Sequence, residues 1–472
     1  MVQGVEVQDG YLLDRNPADG SLIRKVKMST SEEIEAAVKK AKAAQLGWAL
    51  TPLEKRIDML KKCCANLKEK SDELAEMITS EMGKVNSEAI DEVQGAVDKD
   101  RFLDLIKQAN LPEKVTESDS DTEAIIVREP LGVVAVLAPW NFPADEILLL
   151  ALPALAAGNA VIVKPSEVVP LTGAMVVDSL IRGLPEGVAQ LLQGDGSVGA
   201  ALTKSDIQMV AMTGSSATGK RIMSNAADNL KRLVLELGGK DPMVVFADAD
   251  LDKAAEDAVT FSLYNCGQVC CSIERIYVEK SIKSKFEEKC VGFAKAWKAG
   301  KGTEEDSKIG PMVSSMQKDI VSKHVDDASQ KGARKLFSGE APSEGNFYPA
   351  TVLTDITKDM LIATEETFGP VVCISEFDGS ESEAVRLSND TEYGLSASVY
   401  TQDLEKGTRV AALVKAGQVG VNSWPLGIAP AKCPWIGTKG SGFGYHSGMD
   451  GWRQFSVPKS IISPTKLPDS KL

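Results

Sequence analysis

From Ser29 to Arg101 apolar residues recur every three or four positions among dense charge, the spacing of amphipathic helices packed on one face. The stretch STSEEIEAAVKKAKAAQLGW opens with Ser/Thr ahead of Glu, an arrangement that caps a helix start. IDMLKKCCANLKEKSDELAEMITSEMG continues in the same vein, with Cys63 or Cys64 expected to pack wherever it faces inward. After Pro112 the period changes. TEAIIVREPLGVVAVLAPW is β-branched and apolar on both sides of PLG, which predicts two strands. ILLLALPALAAGNAVIV is interrupted by Pro153, Gly158 and Asn159, and predicts a buried helix, a turn and a buried strand instead of a membrane span. Strand-like and helix-like segments then alternate through AVIVKPS, VAQLLQG, MVAMTGS and RLVLELGG, and a second alternating block runs from DPMVVFADAD to QVGVNSW. Alternation with short Gly-rich links predicts βαβ units, parallel sheets and an α/β fold. The tail RQFSVPKSIISPT alternates like an exposed strand, of the kind that pairs with another subunit.

A chain of 472 residues exceeds one small core, so two or three domains are expected. With 67 acidic against 53 basic residues, no face for nucleic acid or an anionic membrane is expected. The opening MVQGVEVQDG lacks a basic region and an apolar core, and eight cysteines are few for this length, so reduced thiols in a cytoplasmic protein are expected. The only histidines, His324 and His446, sit beside no cysteine cluster, which speaks against a metal site.

The stretch YNCGQVCCSIERIYV holds Cys266, Cys270 and Cys271. Its spacing is wrong for a zinc ribbon, and the adjacent Cys270 and Cys271 could form only a strained disulfide. Two readings stay level on these residues alone: buried packing, or one thiolate acting as a nucleophile while its neighbour packs. LELGGKD sets Glu236 between leucines, where burial disfavours the charged form; a general base and a paired structural carboxylate fit equally. VIVKPSE puts Lys164 at the carboxyl end of a predicted buried strand, where open α/β sheets hold ligands. GDGSVG fits G-x-G-x-x-G but lacks the acid expected about 20 positions on, so a plain turn explains it as well. MTGSSATGKR follows a strand and opens a helix whose first N–H groups suit a phosphate, or simple capping.

APWNFP, KPSE, MTGSSATG, LELGGK, NCGQVCC, EETFGPV and GSGFG occur in this order over nearly the whole chain. Together they resemble the motifs of the aldehyde dehydrogenase superfamily, in its hydrolytic, NAD(P)-dependent form. The resemblance implies an α/β fold with a cofactor-binding domain (1–112 and 131–238), a catalytic domain (239–452) and a small β oligomerisation element (113–130 and 453–472). It implies a homodimer or homotetramer, and no additional strand pair at the N-terminus. Cys270 matches the nucleophile, Glu236 the general base, and Asn141 the side-chain oxyanion donor that works with the N–H of Cys270. Lys164 and Glu167 match the pair that holds the adenosine ribose, Trp140 and Ser215 the pyrophosphate contacts, and Glu366 and Phe368 the surroundings of the nicotinamide ribose. Ser166, Gly196, Gly199, Gly214 and Leu237 complete the implied cofactor site. Phe142, Glu146, Leu149, Val269, Cys271 and Trp435 are the implied walls of the substrate pocket.

The implied activity is oxidation of a small-molecule aldehyde, a semialdehyde or another small polar one, to the free acid. Relatives that pass the acyl group to coenzyme A generally lack the glutamate matched by Glu236. Glu167 beside the ribose favours NAD, with NADP possible, because a carboxylate there repels a 2′-phosphate. A catalytically silent protein on the same fold and a cofactor-independent cysteine thioesterase are the alternatives. Three departures stand out. Where many relatives carry apolar residues after NFP, this chain has Asp145 and Glu146, which either attract a polar or cationic aldehyde or oppose a helix dipole. PFGG is PWIG, which sets Trp435 at the aromatic wall, and GRE is GYH, which sets His446 where relatives often have glutamate.

Overall fold

The computed structural model describes residues 5–115 and 122–464. The expected helical stretch forms Ser31–Leu50, Leu53–Lys68, Ser71–Met82, Asn86–Val97 and Asp100–Ala109. The first begins in a capping box: Thr30 accepts the N–H of Glu33, and the Glu33 carboxylate accepts that of Thr30, an arrangement worth about 1 kcal/mol. Leu53–Lys68 buries Ile57, Leu60, Cys63, Cys64 and Leu67 along one face, so both cysteines are core residues.

The segments around PLG become the strands Thr122–Pro130 and Val133–Leu137. The long apolar run becomes helix Asp145–Ala156, which carries Pro153 within it, followed by the fully buried strand Ala160–Lys164. Val133–Leu137, Ala160–Lys164, Ala189–Leu191, Met209–Gly214 and Arg232–Leu237 run parallel in one sheet, with Gly442–Phe443 antiparallel at the edge. From Val133–Leu137 the chain steps outward through two strands, then returns to the opposite side with Met209–Gly214. The strand order therefore reverses between these two, and open α/β sheets take ligands outside the carboxyl ends at that reversal.

The second alternating block builds a seven-stranded sheet. Asp241–Val245 lies inside it between Ile273–Glu279 and Ser396–Tyr400, and Arg334–Ser338 is antiparallel at one edge. Residues 238–240 link the two sheets. In a third sheet Ser456–Pro464 pairs along the whole of Thr122–Pro130, which pairs on its other side with Glu113–Val115. The parts of the expected oligomerisation element at 116–121 and 465–472 lie outside the described residues.

The N-terminus departs from expectation. Glu6–Gln8, Tyr11–Arg15 and Leu22–Lys27 form an antiparallel meander where no strand pair was foreseen. Its first turn is Asp9–Gly10, with φ of 52° and 80°, the two left-handed residues that a tight hairpin needs. The DG pair between alternating residues was the signal for it.

Candidate functional site

Helix Leu251–Leu263 runs into a tight turn at Tyr264–Gly267, where Asn265, Cys266 and Gly267 all take left-handed φ of 51°, 58° and 69°. For the two non-glycine residues that costs roughly 1–2 kcal/mol each, and the turn persists because its polar groups are tied down. The Asn265 N–H donates to Glu88 at 3.1 Å, and its side-chain amide donates to the carbonyls of Asn141 and Gln268, each at 3.1 Å. The Gln268 side chain accepts the N–H of Val313 at 3.0 Å. A Cβ added at Gly267 would collide with the carbonyl of Gly369, so glycine is what lets the EETFGPV segment cross there. The turn delivers Cys270, half-buried, to the wall of a cavity of about 690 Å³.

Glu236 is the penultimate residue of Arg232–Leu237 and is buried. Its Oε1 accepts the Trp435 indole N–H at 3.2 Å, while Oε2 is sealed without a partner. Burial pushes its carboxyl up to about 7, opposed by the Trp435 hydrogen bond and the neighbouring Cys270 thiol. The Cys270 thiol is itself held well above the ordinary range by its hydrogen bond with Cys271, by burial and by the Glu236 charge. These surroundings favour the neutral thiol over the thiolate.

Asn141 follows Val133–Leu137 in the loop at the strand reversal, and its amide donates to the carbonyl of Gln268 at 3.1 Å. That loop is anchored from helix Asn86–Val97 and the residues before it. Lys84 donates to the Asn141 carbonyl at 2.9 Å, pairs with Glu92 at 2.6 Å and sits 3.9 Å over the Phe142 ring. Glu92 in turn accepts the Ala144 N–H at 2.9 Å. Lys84, Glu88 and Glu92 thus clamp the Asn141 loop and the Cys270 loop to one helix, and sequence reasoning missed all three. The available signal was Glu88 and Glu92, four apart, on the same stripe as the buried Ala89 and Val93.

A second buried pair, Lys240 with Glu274, holds the EETFGPV segment: Glu274 accepts the N–H groups of Thr367 at 2.8 Å and Phe368 at 2.9 Å. Glu366 accepts the Gly239 N–H at 3.0 Å, and burial raises its carboxyl to about 8. Phe368 meets Trp140 edge to face, with centroids 5.4 Å apart.

The other expected cofactor residues gather along the carboxyl edge of the parallel sheet. Lys164 pairs with Glu167 at 3.2 Å and donates to the Pro165 carbonyl at 2.9 Å. A Cβ at Gly199 would lie 3.5 Å from the Lys164 stem. Gly196 opens helix Gly196–Lys204, and the Ser166 hydroxyl accepts the Val168 N–H at 3.4 Å. Gly214 ends its strand, Ser215 caps helix Ser216–Ala227, and Leu237 packs against Gly219.

Of the expected pocket residues, Phe142, Glu146, Leu149, Val269 and Trp435 line the cavity with Cys270. Cys271 does not. It is fully buried next to Cys270, with its carbonyl accepting the Trp424 indole N–H at 3.0 Å. Glu146 does more than oppose a helix dipole: Thr213 Oγ1 donates to it at 2.9 Å, and burial with the Glu236 and Asp145 charges raises its carboxyl well above the ordinary range. Asp145 pairs with Lys99 at 2.7 Å. His446 lines the cavity, but burial lowers it to about 4 and leaves it neutral, so it does not replace a charged glutamate. Among the described residues no group of three or more His, Cys, Asp or Glu is placed to hold a metal ion, and no helix is long and apolar enough to cross a membrane.

The sequence profile of the aldehyde dehydrogenase family matches residues 5–461. Among solved structures, an aldehyde dehydrogenase from Brucella melitensis biovar abortus 2308 is 35% identical with a TM-score of 0.91, over 99% of this chain and 98% of that one. A betaine aldehyde dehydrogenase from Staphylococcus aureus, in complex with NAD+, is 34% identical at a TM-score of 0.90, over 97% and 92%. Lactaldehyde dehydrogenase from Escherichia coli is 32% identical at 0.92, over 98% and 97%. The chain belongs to the aldehyde dehydrogenase family.

Proposed function

We propose that this enzyme oxidises a small polar aldehyde to the free carboxylic acid with NAD as the oxidant. The observation that carries the reading is Cys270 at the cavity wall with the buried Glu236 carboxyl, raised to about 7, close enough for its charge to act on the thiol. A base of that strength is matched to neutral pH.

The residues present suit a dinucleotide. Lys164 and Glu167 set an ammonium and a carboxylate where a ribose diol would rest, and the capped N-terminus of Ser216–Ala227 points amide N–H groups at the strand reversal. When bound, the nicotinamide supplies the acceptor for the hydride that leaves the substrate carbon. Glu236 takes the Cys270 proton, and the sulfur adds to the aldehyde carbon. The oxyanion so formed is held by the Asn141 amide and the N–H of Cys270. After oxidation a thioester remains on Cys270; Glu236 gives the proton it took from the thiol to cavity water and, ionised again, deprotonates the water that cleaves the thioester. Asp145, Glu146 and His446 among the lining residues favour a polar aldehyde over a long alkyl one, in keeping with the substrates named for the staphylococcal and Escherichia coli relatives. The outer strand Ser456–Pro464 supports assembly as a homodimer or homotetramer.

A panel of amino-, hydroxy- and semialdehydes, followed by NADH absorbance, tests this. Turnover is expected with at least one of them, to vanish without NAD and to be lost in Cys270→Ala. Turnover persisting in that variant, or without the dinucleotide, would overturn it.

A further inference from the structure

Thr213 and Glu236 are register partners on adjacent parallel strands, so their side chains leave the same face roughly 5 Å apart. The Thr213 hydroxyl is committed to Glu146, donating to Oε2 at 2.9 Å. Glu146 and Glu236 therefore flank one threonine side chain, at a place where the cavity reaches Glu146 and Cys270. Among the described residues neither carboxyl forms an ion pair, and Lys99 acts on Glu146 only from a distance. Lys99 is paired with Asp145, Lys84 with Glu92 and Lys240 with Glu274. The other titratable groups around the pair are the thiols of Cys270 and Cys271, Glu366 from the segment that crosses beneath, Asp145 on the helix of Glu146, and the neutral His446. Two carboxylates flanking one side chain, with no ion-pair partner for either, do not both stay ionised.

We propose that Glu146 and Glu236 share one proton, with Glu146 the partner that keeps it, so that Glu146 sets the pH at which Glu236 becomes a base. The asymmetry follows from the donors. Glu236 receives the Trp435 indole N–H, which favours its charged form. Glu146 receives only the Thr213 hydroxyl and faces Asp145. Glu146 is thus a positioning residue acting through Glu236, and the inference rests on Glu236 being the base that releases the acid.

The test is the pH dependence of thioester hydrolysis, measured in single turnover for the wild type, Glu146→Gln and Glu146→Leu. Leucine removes the proton that favours charge on Glu236. The acid limb is expected to move up by about one pH unit, which is about tenfold slower release below it. Glutamine keeps an N–H donor, and its limb should stay near that of the wild type. A Leu limb that stays in place, with the rate merely scaled at every pH, leaves Glu146 a structural residue. A Leu limb that moves down shows that Glu146 carried the charge. Either outcome overturns the proposal. Infrared difference spectra at pH 8 give a second reading that needs only the Gln variant: one protonated buried carboxyl should disappear, and its persistence would also overturn the pairing. Glu236→Gln separates the two levels. If it hydrolyses the thioester normally, the base reading falls and the pairing with it. If it stalls at the thioester while the Leu limb is unmoved, only the pairing falls.

Discussion

Lys84 donates to the carbonyl of Asn141 at 2.9 Å from a side chain with no solvent exposure. Its ion-pair partner Glu92 is equally sealed and holds the Ala144 N–H, so the pair fixes both ends of the turn that carries Asn141. Removing one charge strands the other in the core, at a cost of about 3–5 kcal/mol. Lys84→Met should lose stability of that order in urea unfolding, and kcat should fall as the turn loosens. Adding Glu92→Leu removes the stranded charge and should restore most of the stability. It does not restore the hydrogen bonds to the turn, so kcat should stay low. Recovery of both would show that the clamp serves folding alone.

Asn141 itself is tied through its amide to the Gln268 carbonyl at 3.1 Å, which aims the side chain at the Cys270 loop. Loss of one oxyanion donor costs about 10²–10³ in rate. Asn141→Ala should lower kcat by that order and change KM little, as for an interaction made mainly in the transition state. Steady-state kinetics at saturating NAD decides it; a KM effect alone would assign Asn141 to ground-state binding.

The legible parts of this protein are those where the fold presses on short range. Strands covered on both faces need unbroken apolar runs, so Val133–Leu137 and Ala160–Lys164 announced themselves. LELGGK was legible for a related reason: a Cβ at Gly238 would strike the Glu366 carboxylate and one at Gly239 the Cys270 carbonyl, so close approach demands glycine at both. The clamp was not legible. Glu92 and Glu88 find partners 52 and 177 residues away, and acids on a charged helix read as solvated until the fold closes over them. The N-terminal meander escaped because its strands are short and largely exposed, with no continuous apolar face to set a period. The neutral state of Cys270 depends on Cys271, Glu236 and burial together, a sum that no single stretch contains.

Lys164 and Glu167, 3.2 Å apart and mostly buried, give the cofactor proposal its sharpest test. A carboxylate there accepts a ribose hydroxyl and repels a phosphate at the same carbon. Glu167→Ser should raise the NADP-to-NAD ratio of kcat/KM by about tenfold, since removing one repulsion of about 1.4 kcal/mol has that effect. Lys164→Ala should weaken both dinucleotides together. An unchanged ratio in the serine variant would remove Glu167 from cofactor choice.

Ser456–Pro464 forms the outside of its sheet, and Ile461 and Ile462 stand 51% and 68% exposed there. An edge that pairs with no further strand among the described residues and carries exposed isoleucines is an association site unless something covers it. Ile461→Lys with Ile462→Glu should shift the enzyme toward monomer in sedimentation velocity while leaving its circular dichroism unchanged. A wild-type chain that sediments as a monomer at micromolar concentration would end the assembly proposal.

The N-terminal meander makes its own pH-dependent bond to the body of the enzyme. Asp14, on Tyr11–Arg15, is buried against Glu81, which accepts the N–H groups of Leu171 and Thr172 at 2.7 Å each. Burial raises Asp14 from its ordinary 3.8 to about 6, and burial with the Asp14 charge raises Glu81 well above the carboxylate range. Between those pH values the folded chain keeps protons that the unfolded chain has released, so stability falls as pH rises through this window. For Asp14 the loss amounts to about 3 kcal/mol once pH exceeds 6. Asp14→Asn cannot ionise and escapes that loss. Relative to wild type it should gain about 2–3 kcal/mol more in urea unfolding at pH 8 than at pH 4. Glu81 keeps its two N–H donors in the variant, so the cap on helix Pro170–Gly183 should survive the change. An equal difference at both pH values would mean that Asp14 enters the fold already charged.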